Sequence, residues 1–273
     1  MDMEKHFGKC ALCRKEGKLT FEHIPPRSAL NTAPAKLVNG AEILEKERMP
    51  WDLEGLHYSN QQRGVGKYSL CPSCNNNTGT WYGTDYGLVA NGIHVALLKS
   101  MDQQYLGYTL KNIHPLRFIK QVLSMFCSIN NIEDERINVI RQFVLDKDAV
   151  GLDKTKYKLC MYLTRSPIVK YNALSVAIAL GKTSLEIVPL SEITAYPMGF
   201  ILYFNPTETF QHQGVDITYL ADYNFEDVAD IHMPFCVYEM NDLFPGLYRS
   251  REEIERCIAE NEKWNTEHDD AFD

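Results

Sequence analysis

Four cysteines in two Cys-x-x-Cys pairs are the residues of this chain best suited to chemistry. Cys10 and Cys13 form the first pair, Cys71 and Cys74 form the second, and 57 residues separate the pairs. Four thiolates make a complete tetrahedral ligand set for Zn²⁺. The separation far exceeds the ~15–20 residues of a simple zinc ribbon, so we expect an additional element between the pairs. The spacing predicts a structural zinc site.

Two other interpretations of the cysteine pairs compete with zinc. The pairs could be unrelated turns with buried thiols, or one pair could be a redox site, which needs a helix start within a βαβ unit. Residues 1–85 are rich in Gly, Pro, Asn and Cys and poor in apolar periodicity, so they need a metal to fold. Zinc therefore explains the segment best. The other four cysteines have apolar neighbours and are interpreted as small buried hydrophobic residues: Cys127, Cys160, Cys236 and Cys257.

An acid and a histidine stand side by side between the cysteine pairs, at Glu22 and His23. Adjacent residues of an extended strand point to opposite faces. Glu22 could then hold a hard divalent cation such as Mg²⁺, with an amide oxygen from the run Asn75–Asn77 as a second ligand. Because imidazole titrates near neutral pH, His23 could deprotonate a water that attacks a phosphate. The alternatives for His23 are a structural role or a spare zinc ligand.

The order of these residues resembles that of the HNH endonucleases, the zinc-containing members of the ββα-metal superfamily. The resemblance covers residues 8–82 and implies that the cysteines hold Zn²⁺ away from the chemistry. It implies that His23 is the general base and that Glu22 and Asn75 bind a catalytic Mg²⁺ or Mn²⁺, with Asn76 and Asn77 as rival ligands. The matching segments are Cys10-Ala-Leu-Cys13, Glu22-His23-Ile24-Pro25-Pro26 and Leu70-Cys71-Pro72-Ser73-Cys74-Asn75.

Two features depart from the pattern of that family. The 47 residues between His23 and Cys71 exceed the usual hairpin loop, so an insertion at about residues 31–66 is expected to shape the substrate groove. The middle asparagine of the family has no clear counterpart. Asn60 is the candidate, with His57 nearby.

The elements that must position these residues follow from hydrophobic periodicity. Apolar residues at three- and four-residue spacing predict helices, and runs rich in β-branched and aromatic residues predict strands. The predicted fold is α+β: a small zinc-bound ββα-metal (treble-clef-like) domain at 1–85, then an α+β domain at 86–273 for recognition, regulation or dimerisation. Helices are predicted at 41–48, 84–101, 115–129, 133–147 and 251–264, and strands at 157–164, 173–180, 185–190, 199–204 and 215–220.

Charge is distributed unevenly along the 273 residues. Residues 1–85 hold 11 Lys and Arg against 10 Asp and Glu, whereas the remainder holds 17 against 26. A polyanion would therefore bind the N-terminal third. Basic residues of this N-terminal third are candidate phosphate contacts. Aromatic residues at the end of the same segment could stack on bases, but we favour the alternative that they pack against the larger domain. The phosphate candidates are Arg27, Arg63 and Lys67, with Gln62 beside them, and the aromatic residues are Trp81, Tyr82 and Tyr86.

These observations favour a metal-dependent endonuclease that hydrolyses phosphodiester bonds of DNA, with double-stranded DNA as the expected substrate. The alternatives are a non-catalytic zinc-stabilised module that binds nucleic acid or protein, and a thiol redox protein. No secretory signal or membrane-length apolar run is found, which predicts a cytoplasmic protein without a membrane partner. A homodimer, a protein partner and a small-molecule activator bound by residues 86–273 stay open. Phage defence is one setting that the resemblance implies.

Overall fold

The computed structural model describes residues 6–101, 103–180, 185–239, 241–245 and 247–268. It is a mixed α+β structure with a four-cysteine cluster near its N-terminus, as the sequence predicted at this coarse level. Within the described ranges, no helix is long and apolar enough to cross a membrane.

The first third of the chain is built from short paired strands. The pair β1–β2 is a hairpin, whereas β3 pairs with β6 across the intervening segment, which holds its own pair β4–β5 and the helix α1. These elements are β1 Phe7–Lys9, β2 Glu16–Lys18, β3 Thr20–His23, β4 Ala35–Val38, α1 Gly40–Glu45, β5 Tyr58–Gln61 and β6 Gly66–Leu70.

A long helical stretch leads from the second cysteine pair into the rest of the molecule. Helix α2 (Pro72–Thr78) starts with a proline in its first turn, where the missing N–H costs nothing, and continues through a π-helical turn into α3 (Thr84–Lys99). The predicted boundary between residues 85 and 86 falls inside α3. The division into two domains stays a prediction.

The remaining strands form one mostly antiparallel sheet. Its order is β7-β13-β8-β11-β10-β9, with β12 paired to β8, and among the described strands only β13 and β8 run parallel. The strands are β7 Tyr105–Ile113, β8 Tyr157–Thr164, β9 Lys170–Leu180, β10 Leu185–Ala195, β11 Met198–Phe204, β12 Val215–Asp216 and β13 Ala229–Tyr238. The helices are α4 Pro115–Ile129, α5 Glu135–Leu145 and α6 Arg251–His268.

Helix α4 is the centre of the hydrophobic core. All of its residues except Arg117 are buried, because it contacts α3 and α5 as well as strands of the sheet and β6. A helix covered on all sides belongs to the interior. The same core cluster runs from Cys10 and Leu12 to Phe235, so one continuous core joins the cysteine segment to the large sheet.

The strand predicted at residues 215–220 is wrong over most of its length. Only Val215–Asp216 is a strand, and a 3₁₀ helix follows at Thr218–Asp222. The carboxylate of Asp216 accepts hydrogen bonds from the backbone N–H and the hydroxyl of Thr218, at 2.8 and 2.6 Å. This local bonding competes with strand pairing and starts the turn.

Candidate metal centre and candidate active site

The four cysteines of the two pairs meet in one cluster. The Sγ atoms of Cys10, Cys13, Cys71 and Cys74 all lie within 4.8 Å of one another, and those of Cys13 and Cys71 are 3.9 Å apart. A tetrahedral ion with metal–sulfur distances of about 2.3 Å places its sulfurs about 3.8 Å apart. The cluster therefore fits a metal such as zinc, which its four thiolates would hold.

Backbone hydrogen bonds bring the two pairs together. The first pair lies in a tight turn after β1, in which Arg14 N donates to Cys10 O at 2.9 Å. The N–H of Ala11 donates to Ser69 O at 2.8 Å, which joins this turn to the end of β6. The N–H of Cys71 donates to the Sγ of Cys10 at 3.3 Å, a contact that favours a thiolate.

The protonation of the cluster also points to a cation. A hydrogen bond from the Cys74 thiol lowers the pKa of Cys10 to about 4. The same hydrogen bond raises the pKa of Cys74 well above its usual range. Thiols this close share protons, because adjacent thiolates repel one another. A bound divalent cation would allow all four to ionise.

The strand pair β3–β6 positions the acid and the histidine. Glu22 lies opposite Lys67, and His23 lies opposite Gly66. A Cβ atom at Gly66 would lie 2.0 Å from the backbone oxygen of Glu22. Only glycine allows the two strands to approach this closely at the site.

Glu22 is a buried acid without a partner. Its exposed fraction is 7%, and its side chain forms no hydrogen bond or ion pair with any residue that the structure describes. Burial raises its pKa to about 8, because a low-dielectric surrounding disfavours the charged form. A buried carboxyl group without a partner is costly, and a bound cation would remove that cost.

His23 is held in one orientation. Its Nε2 lies 3.0 Å from the backbone oxygen of Arg63, and its ring packs edge-on against Phe21 with centroids 5.0 Å apart. A carbonyl oxygen only accepts hydrogen bonds, so Nε2 carries the proton. The lone pair of the neutral ring is then on Nδ1, which suits a base.

Asn75 lies on α2 against the main chain of β3. Its Nδ2 donates to Thr20 Oγ1 at 2.9 Å and to Phe21 O at 3.1 Å. The second contact is one residue from Glu22, and it leaves Oδ1 available as a ligand. Of the rival ligands, Asn76 is exposed and Asn77 is half-buried.

An asparagine that the sequence did not indicate, Asn31, closes the base of the insertion. Its side chain donates to Pro25 O at 2.6 Å and to Val65 O at 2.8 Å, and accepts from Val65 N at 2.7 Å. We call this set of bonds the Asn31 clasp. The candidate Asn60 is instead exposed on β5 opposite Lys36.

The other sequence candidates lie in different environments. The basic residues Arg27, Arg63 and Lys67 are exposed, as phosphate contacts must be. The hydroxyl of Tyr82 donates to Val144 O at 2.8 Å, and Tyr86 is 1% exposed. Both rings are therefore packed in the core, as preferred from the sequence, and cannot stack on bases. Gln62 and His57 are exposed, and Trp81 is half-buried against the core. The predicted burial of the other four cysteines is confirmed for Cys127 and Cys160, whereas Cys236 and Cys257 are only half-buried.

The fold and the site define a mixed α+β protein with a four-cysteine cluster that could hold a metal such as zinc. Comparison of the chain with known protein families, with curated proteins and with solved structures finds no match. The function must therefore be argued from the site itself.

Proposed function

We propose that this chain is a divalent-metal-dependent HNH-type endonuclease that hydrolyses phosphodiester bonds of DNA. The observation that carries the proposal is the pair Glu22 and His23: a buried acid without a partner in the described chain beside an oriented imidazole. The antiparallel pair β3–β6 followed by α2, with cysteines at both ends, supports a ββα-metal (treble-clef-like) unit. The cysteine cluster would hold a structural Zn²⁺.

In the proposed reaction, Nδ1 of His23 takes a proton from the attacking water. The carbonyl of Arg63 keeps Nε2 protonated, so it orients the ring and stabilises the imidazolium that forms. Glu22 and Asn75 would hold Mg²⁺ or Mn²⁺, which when bound neutralises charge on the phosphate and the leaving oxygen. Arg27, Arg63 and Lys67 would contact neighbouring phosphates of the DNA.

The test uses supercoiled plasmid with Mg²⁺ or Mn²⁺, and with a chelator as the blank. We expect His23→Ala to lower the cleavage rate by about 10²- to 10⁴-fold, the usual contribution of a general base, with folding and zinc content unchanged. The matched control is His57→Ala, since the His57 side chain is 92% exposed in the insertion. Wild-type rates for the His23 variant would refute the assignment.

The second candidate is a zinc-stabilised binding module without catalysis. It is favoured by the packing of His23 on Phe21 and its bond to Arg63, which would also suit a structural histidine. This alternative predicts that wild-type protein binds DNA or a protein partner but leaves the plasmid intact with either metal. The nuclease predicts nicked or linear product under the same conditions.

A further inference from the structure

A fully buried arginine lies against the turn that carries the first cysteine pair. Arg141, on α5, has an exposed fraction of 0%. Its Nε donates to the backbone oxygen of Ala11 at 2.8 Å, and its Nη2 donates to Asn131 O at 3.1 Å. Ala11 is the residue after Cys10, so the guanidinium reaches the turn that carries the first cysteine pair.

This guanidinium has no carboxylate partner among the residues that the structure describes. The two acids whose charges act on Arg141, Asp134 and Glu133, are engaged with other cations: Glu133 bonds to Lys9 and Arg14, and Asp134 pairs with Arg136. The Nη1 atom is buried and has no hydrogen-bond partner in the described chain. A buried cation without an anion is strongly unfavourable, so we expect a negatively charged group near this guanidinium in the folded protein.

The metal-loaded cluster is a suitable anion. Four thiolates and one Zn²⁺ carry a net charge of about −2. The buried thiol of Cys127 lies within electrostatic range of both Arg141 and Cys10: burial raises its pKa to about 12, the charge of Arg141 lowers it and that of Cys10 raises it.

We propose that Arg141 is the counter-cation of the metal-loaded cysteine cluster. It is a positioning residue that acts through Ala11, so metal binding and the docking of the cysteine hairpin on α5 stabilise each other. The proposal rests on zinc binding by the cluster, and it does not depend on nuclease activity.

Two substitutions separate charge from hydrogen bonding. Arg141→Gln removes the charge but keeps a donor for Ala11, whereas Arg141→Lys keeps the charge. The affinity for Zn²⁺ is measured by competition with a chromogenic chelator, and the Co²⁺-loaded protein reports tetrathiolate geometry by its absorption. We expect Arg141→Gln to weaken Zn²⁺ binding by about 10- to 100-fold, the usual effect of losing an outer-shell partner, and Arg141→Lys to bind more tightly than Arg141→Gln.

Stability measured with and without Zn²⁺ provides the second readout. Without metal, we expect Arg141→Gln to be at least as stable as wild type, because an uncompensated buried charge has gone. With Zn²⁺ it should gain less stability than wild type. The control is Lys120→Gln, which removes another buried cation whose Nζ donates to Asp146 O and Lys147 O, at 2.6 and 3.1 Å. It should change stability equally with and without Zn²⁺ and leave the Zn²⁺ affinity unchanged.

Three results would overturn the proposal. Wild-type Zn²⁺ affinity in Arg141→Gln would show that the charge is unimportant, and an equal loss of stability with and without metal would show a purely structural role. Wild-type protein that takes up no Zn²⁺ would refute the metal site together with this proposal. A failed plasmid assay with normal Zn²⁺ uptake bears only on the nuclease.

Discussion

Two buried glutamates in different regions of the molecule have opposite surroundings. Glu192, in the large sheet, is 0% exposed and accepts bonds from Lys170 Nζ at 2.9 Å, Tyr162 OH at 2.9 Å and Tyr248 OH at 3.1 Å. Glu22, on β3 in the first third of the chain, is buried nearly as deeply, and its side chain has no partner among the described residues. The same side chain is paired in one region and unpaired in the other.

The difference separates a structural acid from a ligand site. A buried carboxylate that is paired and hydrogen-bonded is compatible with a rigid interior, and it leaves no oxygen for a new ligand. An unpaired one keeps its coordination free and carries a cost that only a cation or a proton removes. The exposed fraction alone therefore does not distinguish a structural acid from a candidate metal ligand, whereas the hydrogen-bond and ion-pair partners of the carboxyl group do.

The largest expected effect comes from breaking the cysteine cluster. Structural zinc contributes about 10–16 kcal/mol to the folding of small zinc domains, so Cys71→Ser should unfold the region of β1, β3, β6 and α2 while the large sheet persists. Hydrogen exchange measured element by element, with zinc content, tests this. Cys257→Ser is the control. Continued protection of β3 and β6 without bound metal would show that the cluster is not a structural zinc site.

The next effect is the loss of stability on removing the paired acid, Glu192. Glu192→Ala leaves Lys170 buried without its anion, and loss of one member of a buried ion pair costs about 3–5 kcal/mol. Denaturant titration should show that loss, and the double variant Glu192→Leu, Lys170→Met should recover much of it. A change below about 1 kcal/mol, the scale of an exposed ion pair, would contradict the comparison.

The third effect concerns the unpaired acid, Glu22, and depends on pH. The pKa of Glu22 is raised from 4.5 to about 8 in the folded protein, so the folded state holds a proton that the unfolded chain releases. Its contribution to stability is full below pH 4.5 and is lost as the pH rises through 8. Without added Mg²⁺, the denaturation midpoint of Glu22→Gln should therefore rise relative to wild type between pH 5 and pH 8.5.

The same pH series with added Mg²⁺ or Mn²⁺ tests whether Glu22 is a metal ligand. If Glu22 binds the cation, wild type regains stability at high pH and Glu22→Gln does not. Parallel pH profiles of the two proteins would contradict the raised pKa. A cation response that is the same in both proteins would contradict the ligand role.

Much of the fold was predictable because hydrophobic periodicity is local. Helix α4 lies at the predicted residues 115–129, and β8 and β11 lie within a residue of their predicted bounds. The sequence missed β13, although Ile231, Met233 and Phe235 alternate toward the core, because Pro234 interrupts the run. Pro234 is tolerated since β8 pairs with β13 only at its end, at Val237 and Tyr238.

The site was predictable only where its residues are marked by type and spacing. The Cys-x-x-Cys spacing marks the two cysteine pairs in the sequence, and the prediction that they meet in one cluster is confirmed. Arg141 and Glu192 gave no such signal, since each stands in a helix or strand where a charged residue is normally exposed, and their partners come from distant segments. The roles of Glu22, His23 and Asn75 stay predictions.

The Asn31 clasp has a consequence for how this protein could change. Between the end of β3 at His23 and the start of β6 at Gly66, the clasp ties Asn31 to Val65 and to Pro25. Residues 34–60 can then be lengthened, shortened or replaced while Glu22, His23 and the Arg63 carbonyl that orients the imidazole stay in place. We expect natural variation to concentrate in this segment, and it is the natural position at which to graft a new recognition module.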